Sequence, residues 1–249
     1  MYAMQRALRL VDLGILTIPI EKAHWIHAGC GNIAFIPVGA NLPDPERAFS
    51  LKRRSASEAA TVCAFSISPG FVGRDETELI ARAARYASEK IGSLRLVVVG
   101  RNSKEAGRQL QQRLRGSLVQ LTVHGILEGE EIVRVLGECH VLLFTRGQIS
   151  SRRGSAIAGI ACGLPVIAEQ GSETGAPITE AGVVLLPEGA RDEFGPALVR
   201  VLSDAAYRES LAERSRRAQE RYFSWKVIAE QYVAALYGPS RNDTKKFES

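Results

Sequence analysis

The feature of this sequence that most constrains its fold is the alternation of short aliphatic runs with helical segments. The runs are rich in Val, Ile and Leu, and amphipathic stretches of about ten to fifteen residues separate them. Strands of this kind favour a parallel sheet with right-handed crossovers and helices on both faces. We therefore predict an α/β fold with a doubly wound, Rossmann-like parallel sheet. The predicted strands are 61–67, 94–100, 119–125, 140–145, 165–169 and 182–186.

Helical patterns follow these predicted strands along the chain. A turn is expected over residues 68–73, immediately before the first helix of this unit, and another helix is expected to begin within the segment 150–168. The remaining helices are predicted at 76–90, 104–114, 130–136, 192–202, 205–222 and 226–237. Ligands of doubly wound sheets bind at the carboxyl ends of the strands, so a functional site is expected there.

The pattern is less regular before residue 61, which predicts more than one structural unit. We expect residues 1–45 to be a remnant of a second domain with its linker, and residues 46–60 to be a connector. Residues 61–238 form the predicted sheet domain, and the polar residues 239–249 are expected to be disordered. The remnant contains an apolar segment, 13–20, which is expected to be extended and available for self-association or for a partner.

Composition limits the classes of function. The apolar stretches fall short of the roughly 20 residues that cross a bilayer, and the N-terminus has no secretory pattern. The four cysteines are widely spaced, which indicates reduced thiols and a cytoplasmic location, although peripheral contact with a membrane stays open. A formal charge of +5 with 6% aromatic residues fits an anionic small ligand better than a nucleic acid.

The most distinctive segment is SSRRGSAIAGIACGLPVIA, residues 150–168. It places cationic and small polar residues at a predicted helix start, where free backbone amides and the helix dipole favour a phosphate. Two cations in a first turn oppose the dipole, and a bound anion would offset that cost. The alternative is that the serines are simple N-caps and the arginines are solvated. The candidate anion-binding residues are Ser151, Arg152, Arg153, Gly154 and Ser155.

The segment RRGSAIAGIACGLPVIAEQGSETGAPITEAGVVLLP resembles the nucleotide-sugar-binding part of family 4 (group 1) glycosyltransferases of the GT-B fold. FSWKVIAEQYVAALYG is similar to the final helix of that family, and NIAFIPVGANLP to its interdomain segment. The resemblance implies a nucleoside-diphosphate sugar as donor substrate, with no cofactor and no metal. It also implies a glutamate at each of two positions that Ser150 and Ala158 occupy here, so the paired-glutamate motif is degenerate.

The resemblance implies further candidate residues. Arg74 follows the first predicted strand-to-helix turn and is expected to assist in holding the diphosphate, with a surface arginine as the alternative. Contacts with the base or the sugar are expected from Gly125, Ile126, Leu127 and Glu173. Core packing is the alternative for the stretch 125–127, and a turn role is the alternative for the glutamate. No catalytic residue is assigned. His24 and His27 lack a third ligand, so no metal site is predicted.

Two functions follow from these expectations. The first is the donor-binding half of a retaining glycosyltransferase that transfers a sugar from a nucleoside diphosphate to an acceptor hydroxyl. Its acceptor half would come from another chain or from a second copy, through residues 1–45. The second is a noncatalytic nucleotide-sugar-binding or scaffold module.

Overall fold

The aliphatic runs form a parallel sheet in the computed structural model, which describes residues 2–26, 32–51 and 59–238. Within these ranges, one sheet has the six strands β3 (Ala60–Phe65), β4 (Leu94–Val99), β5 (Val119–Val123), β6 (Val141–Phe144), β7 (Val166–Glu169) and β8 (Val183–Leu186). The strands are parallel and lie in the order β5-β4-β3-β6-β7-β8. The predicted fold class, a doubly wound Rossmann-like sheet, is confirmed.

Helices lie between successive strands from β3 to β7 and also follow β8, and together they cover both faces of the sheet. The helices of this unit are α3 (Gly70–Ile91), α4 (Ser103–Arg113), α5 (Gly129–Gly137), α6 (Gly154–Ala161), α7 (Phe194–Ser203), α8 (Ala205–Ala218) and α9 (Trp225–Tyr237). A short 3-10 turn, Arg191–Glu193, precedes α7, and a π-helical turn, Gln219–Phe223, follows α8.

The core has two layers because successive side chains of a strand point to opposite faces. In β4, Val97 and Val99 belong to a cluster with α5 and α6, whereas Leu96 and Val98 belong to a cluster with α3, α4 and α7. The side chains of β6 alternate between the two clusters in the same way. Each buried aliphatic side chain contributes about 1.5–3 kcal/mol relative to an exposed one, so both layers stabilise the sheet.

A smaller unit precedes the sheet. It comprises α1 (Tyr2–Leu8), β1 (Gly14–Leu16), β2 (Ile33–Phe35) and α2 (Ala48–Leu51), with 3-10 turns at Ile20–Lys22 and Pro45–Arg47. The strands β1 and β2 pair in parallel and form a separate two-stranded sheet. Only three residues of the apolar segment 13–20 are in β1, so the expected extended run is shorter than predicted. The tail 239–249 and residues 52–58 of the predicted connector lie outside the described residues.

The first turn of α3 corrects one sequence prediction. Residues 70–73, expected as part of a turn, are helical, and α3 begins six residues earlier than the predicted Glu76. The periodicity hides this turn because Phe71 is apolar yet 84% exposed. The buried Glu76 side chain accepts a hydrogen bond from the Ser68 amide at 2.9 Å, which satisfies a donor just ahead of the helix.

Candidate functional site

A cleft of about 420 Å³ lies at the carboxyl edge of the six-stranded sheet. Its floor comes from residues that follow four neighbouring strands, and residues 38–42 supply one wall. Because neighbouring strands lie about 4.8 Å apart, the cleft crosses roughly 14 Å from β5 to β6. The lining residues are Val38, Gly39, Asn41, Leu42, Phe65, Ser66, Gly100, Arg101, Ile126, Leu127, Ile132, Arg146, Gly154, Ser155 and Ala158.

The helix α6 ends where the sequence ACGLP requires it to end. Gly163 adopts a φ of +65°, its amide donates to the Ile160 carbonyl at 2.8 Å, and the Leu164 amide donates to the Gly159 carbonyl at 2.9 Å. These two bonds are a Schellman motif, in which glycine supplies the left-handed residue. Pro165 then has no amide with which to continue the helix. The short helix is thereby fixed between β6 and β7.

Small residues bring α6 close to the sheet. A Cβ atom on Gly159 would lie 2.6 Å from Leu142 Cδ2, so only glycine permits this approach to β6 without displacing the leucine. The same close packing holds the N-terminus of α6 at the edge of the cleft. The small-residue run in the sequence is therefore a packing surface, and Gly154 and Ser155 at its start line the cleft.

The N-terminus of α6 presents unpaired donors to the cleft. The N-cap residue Arg153 makes no side-chain capping hydrogen bond. Gly154 and Ser155 both line the cleft, and their amides are among the four that a helix start leaves without an intrahelical acceptor. A Cβ on Gly154 would meet no atom within 4 Å, so the space in front of this turn is open. An anion bound here would accept from these amides and interact favourably with the dipole.

Two arginines that the sequence reasoning missed also line the cleft, Arg101 after β4 and Arg146 after β6. In the described ranges neither is in an ion pair, and the Nε atom of Arg146 is buried without a hydrogen-bond partner. A buried N–H without an acceptor costs free energy. As lining residues, Arg101 and Arg146 offer positive charge to an anionic ligand. The available signal was position, because each arginine comes directly after a predicted strand.

The opposite end of the cleft is apolar. Ile126 and Leu127 follow β5 and line the cleft, and Ile126 is 80% exposed, so it offers an apolar surface. Gly125 is not in the lining, and its carbonyl accepts from the Gly100 amide at 3.0 Å. Of the stretch 125–127, the structure therefore brings two residues to the cleft and gives the third a supporting position.

The backbone between these two ends is held in an uncommon conformation. Ser66, which lines the cleft after β3, the strand between β4 and β6, has a φ of +62°, in the left-handed region. Its amide donates to the Val99 carbonyl at 2.8 Å, and Gly100 approaches so closely that a Cβ there would lie 2.7 Å from Ser66 Oγ. A left-handed conformation costs free energy for a residue other than glycine, so it persists only where surrounding contacts hold it. Such residues cluster at binding sites.

Ser151 is directed away from the cleft. Its side chain is buried, and its hydroxyl donates to the Thr17 carbonyl at 2.7 Å. Its own carbonyl accepts from the Val38 amide at 3.0 Å. These two bonds attach the N-terminal segment to the start of α6 and thus fix the wall formed by residues 38–42. The hydroxyl that was expected to bind phosphate instead positions the site.

Arg152 and Glu173 are paired with each other outside the cleft lining. The guanidinium and the carboxylate make two hydrogen bonds, of 2.7 and 2.8 Å. Arg153 lies beside this pair, and its Nε donates to the Gln148 carbonyl at 3.1 Å. Burial lowers the pKa of the Arg153 guanidinium and the charge of Arg152 lowers it further, while Glu173 acts in the opposite direction. Part of the predicted cationic turn is therefore neutralised within the protein.

Arg74 is in a different place. It lines a groove of about 230 Å³ between α3 and α4, together with Asn102 and Glu105. The reason is the longer α3, which carries Arg74 onto the second helical turn, where its guanidinium lies 5.3 Å from the centre of the Phe71 ring. The structure therefore does not bring Arg74 to the cleft with the other candidates.

The described residues contain no cluster of His, Cys, Asp and Glu suited to a metal ion, and His27 lies outside them. Cys63, Cys139 and Cys162 are buried and are not joined by disulfides, and Cys30 also lies outside the described ranges. None of the helices that the structure describes is long and apolar enough to cross a membrane.

The fold and the cleft define a class, a Rossmann-like α/β domain with a basic ligand cleft at the carboxyl edge of its sheet. Residues 69–204 match the family described as glycosyl transferases group 1, and the chain belongs to that family. A comparison with curated protein sequences gives no match.

Solved glycosyltransferase structures share the fold. Sucrose-phosphate synthase from Thermosynechococcus elongatus matches with a TM-score of 0.64 and 24% identity, over 93% of this chain and 59% of that one. Anabaena Alr3699/HepE, solved with UDP and glucose, matches with a TM-score of 0.65 and 15% identity, over 94% and 65%. A glycosyltransferase from Rickettsia africae matches with a TM-score of 0.66 and 12% identity, over 93% and 65%. This chain thus spans 59 to 65% of the length of these proteins.

Proposed function

We propose that this chain is the donor-binding half of a retaining, family 4 type glycosyltransferase and binds a nucleoside-diphosphate sugar in the cleft. One observation carries the proposal: the lining residues that follow β5 are apolar, whereas the lining arginines follow β4 and β6 and the N-terminus of α6 lies beside them. A nucleotide sugar has the same order, since a planar base precedes a diphosphate. The Anabaena neighbour was solved with UDP and glucose, which supports the same ligand class.

In this proposal the base lies on Ile126 and Leu127, and the diphosphate accepts from the amides of Gly154 and Ser155. Arg101 and Arg146 approach the phosphates from the ends of β4 and β6. Charge-assisted hydrogen bonds of this kind contribute about 1.5–3 kcal/mol each. Arg153 acts through its charge, whereas Ser151 and Gly125 support the backbone that makes these contacts.

The acceptor side belongs to other residues in this account. No carboxylate or histidine is in the cleft lining formed by the described residues, so no group there serves as a general base. We propose that a partner chain or a second copy supplies the acceptor half through residues 1–45. The apolar side chains of Leu10 and Val11 are exposed in this unit, which supports such a contact. We further propose a cytoplasmic location and transfer without a metal ion.

The lack of a carboxylate in the described lining also favours a second candidate, a noncatalytic nucleotide-sugar-binding module. The two candidates differ in turnover and not in binding. Release of nucleoside diphosphate by the chain, alone or with an added acceptor half, would support the transferase. Donor binding with no release under any of these conditions would favour the module.

Calorimetric titration with UDP and GDP tests the binding claim that both candidates share. We expect one of them to bind, and we expect Arg146→Ala to weaken that binding about tenfold or more, because a charge-assisted contact is lost. Arg82→Ala is a suitable control, since Arg82 is ion-paired with Asp192 away from the cleft. Absence of binding by both nucleotides at millimolar concentration would refute the proposal.

A further inference from the structure

We propose that the edge strand β5 is a docking surface for a second copy of this chain. The two β5 strands pair antiparallel across a two-fold axis and join the two sheets into one. This inference goes beyond the proposed function, because it concerns the edge of the sheet and not the donor cleft. It is carried by the exposure of the edge, by the direction of its backbone groups and by its composition.

The strand β5 forms an open edge of the six-stranded sheet. It stands first in the strand order, and among the described strands it pairs only with β4. Leu118 and Val123 are 62% and 38% exposed, and Gln120 is exposed between them. At the other edge, α8 approaches so closely that a Cβ on Gly182 would overlap the Leu211 carbonyl, so α8 covers the beginning of β8.

The hydrogen bonds between β4 and β5 fix which backbone groups point outward. The Leu94 amide donates to the Leu118 carbonyl at 3.2 Å, and the His124 amide donates to the Val98 carbonyl at 2.8 Å. The pairing with β4 is continuous and has no bulge, so even-numbered residues of β5 bond to β4 and odd-numbered residues point away from it. The residues that direct both an amide and a carbonyl to the open side are Val119, Leu121 and Val123.

A two-fold pairing centred on Leu121 uses all of these outward groups. Leu121 then faces its own copy, and Val119 faces Val123 of the second copy, so each residue makes both of its hydrogen bonds. On one face of the joined sheet these apolar side chains lie opposite each other, and on the other face Gln120 lies opposite Thr122. A two-fold interface requires a self-complementary surface, and this strand provides one. The occupant is therefore a second copy.

The composition of the edge leaves it open to pairing. Residues 116–123 contain no Lys, Arg, Asp, Glu or Pro, which are the residues that protect edge strands from other chains. Two copies therefore meet without charge repulsion. The antiparallel arrangement points the carboxyl edges of the two sheets in opposite directions, so the two donor clefts open on opposite sides. Because a pair of five-residue strands is small beside a standard interface, we expect a dissociation constant of about 1–100 µM.

Sedimentation velocity on the full chain, from about 1 to 300 µM, tests this inference. We expect a reversible shift from monomer to dimer as the concentration rises. Gln120→Lys places a charge on the exposed edge and should raise the dissociation constant at least about tenfold. Val123→Pro should have the same effect, because it removes an outward amide and keeps the hydrogen bonds to β4. Thermal unfolding of both variants shows that they are folded.

Ala229→Lys is the matched control, because it adds the same charge at an exposed position of α9, away from β5. It should leave the dissociation constant unchanged. A chain that stays monomeric at about 300 µM would overturn the inference. So would a dimer that persists in both edge variants, a dimer lost in Ala229→Lys, or growth into species larger than a dimer. Nucleotide binding by Gln120→Lys should equal that of the unchanged chain, so the proposed function stands or falls separately.

Discussion

Two serines of the same turn are predicted to respond to the same substitution in opposite ways. Ser151 is buried and donates to the Thr17 carbonyl at 2.7 Å, whereas Ser155 is partly exposed and lines the cleft. Changing each to alanine removes one hydroxyl and little volume. The two variants therefore separate a residue that positions the site from a residue that contacts the ligand.

The magnitude for Ser151→Ala follows from its one hydrogen bond. A net loss of about 0.5–1.5 kcal/mol is expected for the bond, with a further cost if the Thr17 carbonyl stays without a donor. Thr17 is only partly buried, so water reaches it and the total should be about 1 kcal/mol. For a chain of this size that change lowers Tm by about 2–4 °C. The affinity for a nucleoside diphosphate should change less than about twofold.

Ser155→Ala should show the reverse pattern. Its hydroxyl faces the cleft, so thermal stability should be unchanged while the affinity falls by several-fold, to about tenfold. Thermal unfolding and calorimetry on both variants give the two quantities. If Ser151→Ala weakens nucleotide binding about tenfold without a loss of stability, the assignment of Ser151 as a positioning residue is wrong.

Three further predictions concern charge, backbone and pH. Glu173→Gln removes the carboxylate that pairs with Arg152, so the positive charge near the cleft rises and nucleotide binding should tighten about twofold or more. Weaker binding would indicate that Glu173 contacts the sugar directly. Gly163→Ala, at φ +65° and 3.0 Å from a Phe49 ring atom, should cost about 1–2 kcal/mol in thermal unfolding. Gly116→Ala, at φ +73° with no atom within 4 Å of the added Cβ, should cost less stability. Equal losses of stability in the two variants would show that the close contact with Phe49 adds nothing to the cost. A hydrogen bond with Cys139 and burial raise the pKa of the Cys63 thiol, so stability held by the protonated thiol should fall as pH rises above about 8.5. In urea unfolding from pH 8 to 10, the free energy of unfolding should fall with pH, and Cys63→Ala should make this fall less steep. An equally steep fall in the variant would contradict the prediction.

The fold was predictable because its signals are local. Aliphatic runs such as 94–99 report burial on both faces, and ACGLP reports the end of a helix through a glycine that must adopt a positive φ. The start of α3 was not predictable from periodicity, since the exposed Phe71 interrupts the pattern. That error of six residues also misplaced Arg74 relative to the cleft.

The site was predictable in location and only partly in composition. The sequence identifies the turn before α6, because cations at a helix start are unusual. It does not reveal that Glu173, twenty-one residues later, neutralises Arg152. Nor does it reveal that the Thr17 carbonyl accepts a hydrogen bond from the Ser151 hydroxyl. Such pairings join distant segments and need the fold. Arg101 and Arg146 were overlooked because each is a single arginine in a loop, and only the strand order brings them to one cleft.

The central claim is that the cleft at the carboxyl edge of the sheet holds a nucleoside diphosphate. Amide hydrogen exchange with and without UDP or GDP tests both the binding and the place. The account predicts protection at residues 100–102, 125–127 and 146–156, with no change at residues 68–74 beside the other groove. Protection confined to residues 68–74, or none at saturating nucleotide, would contradict it.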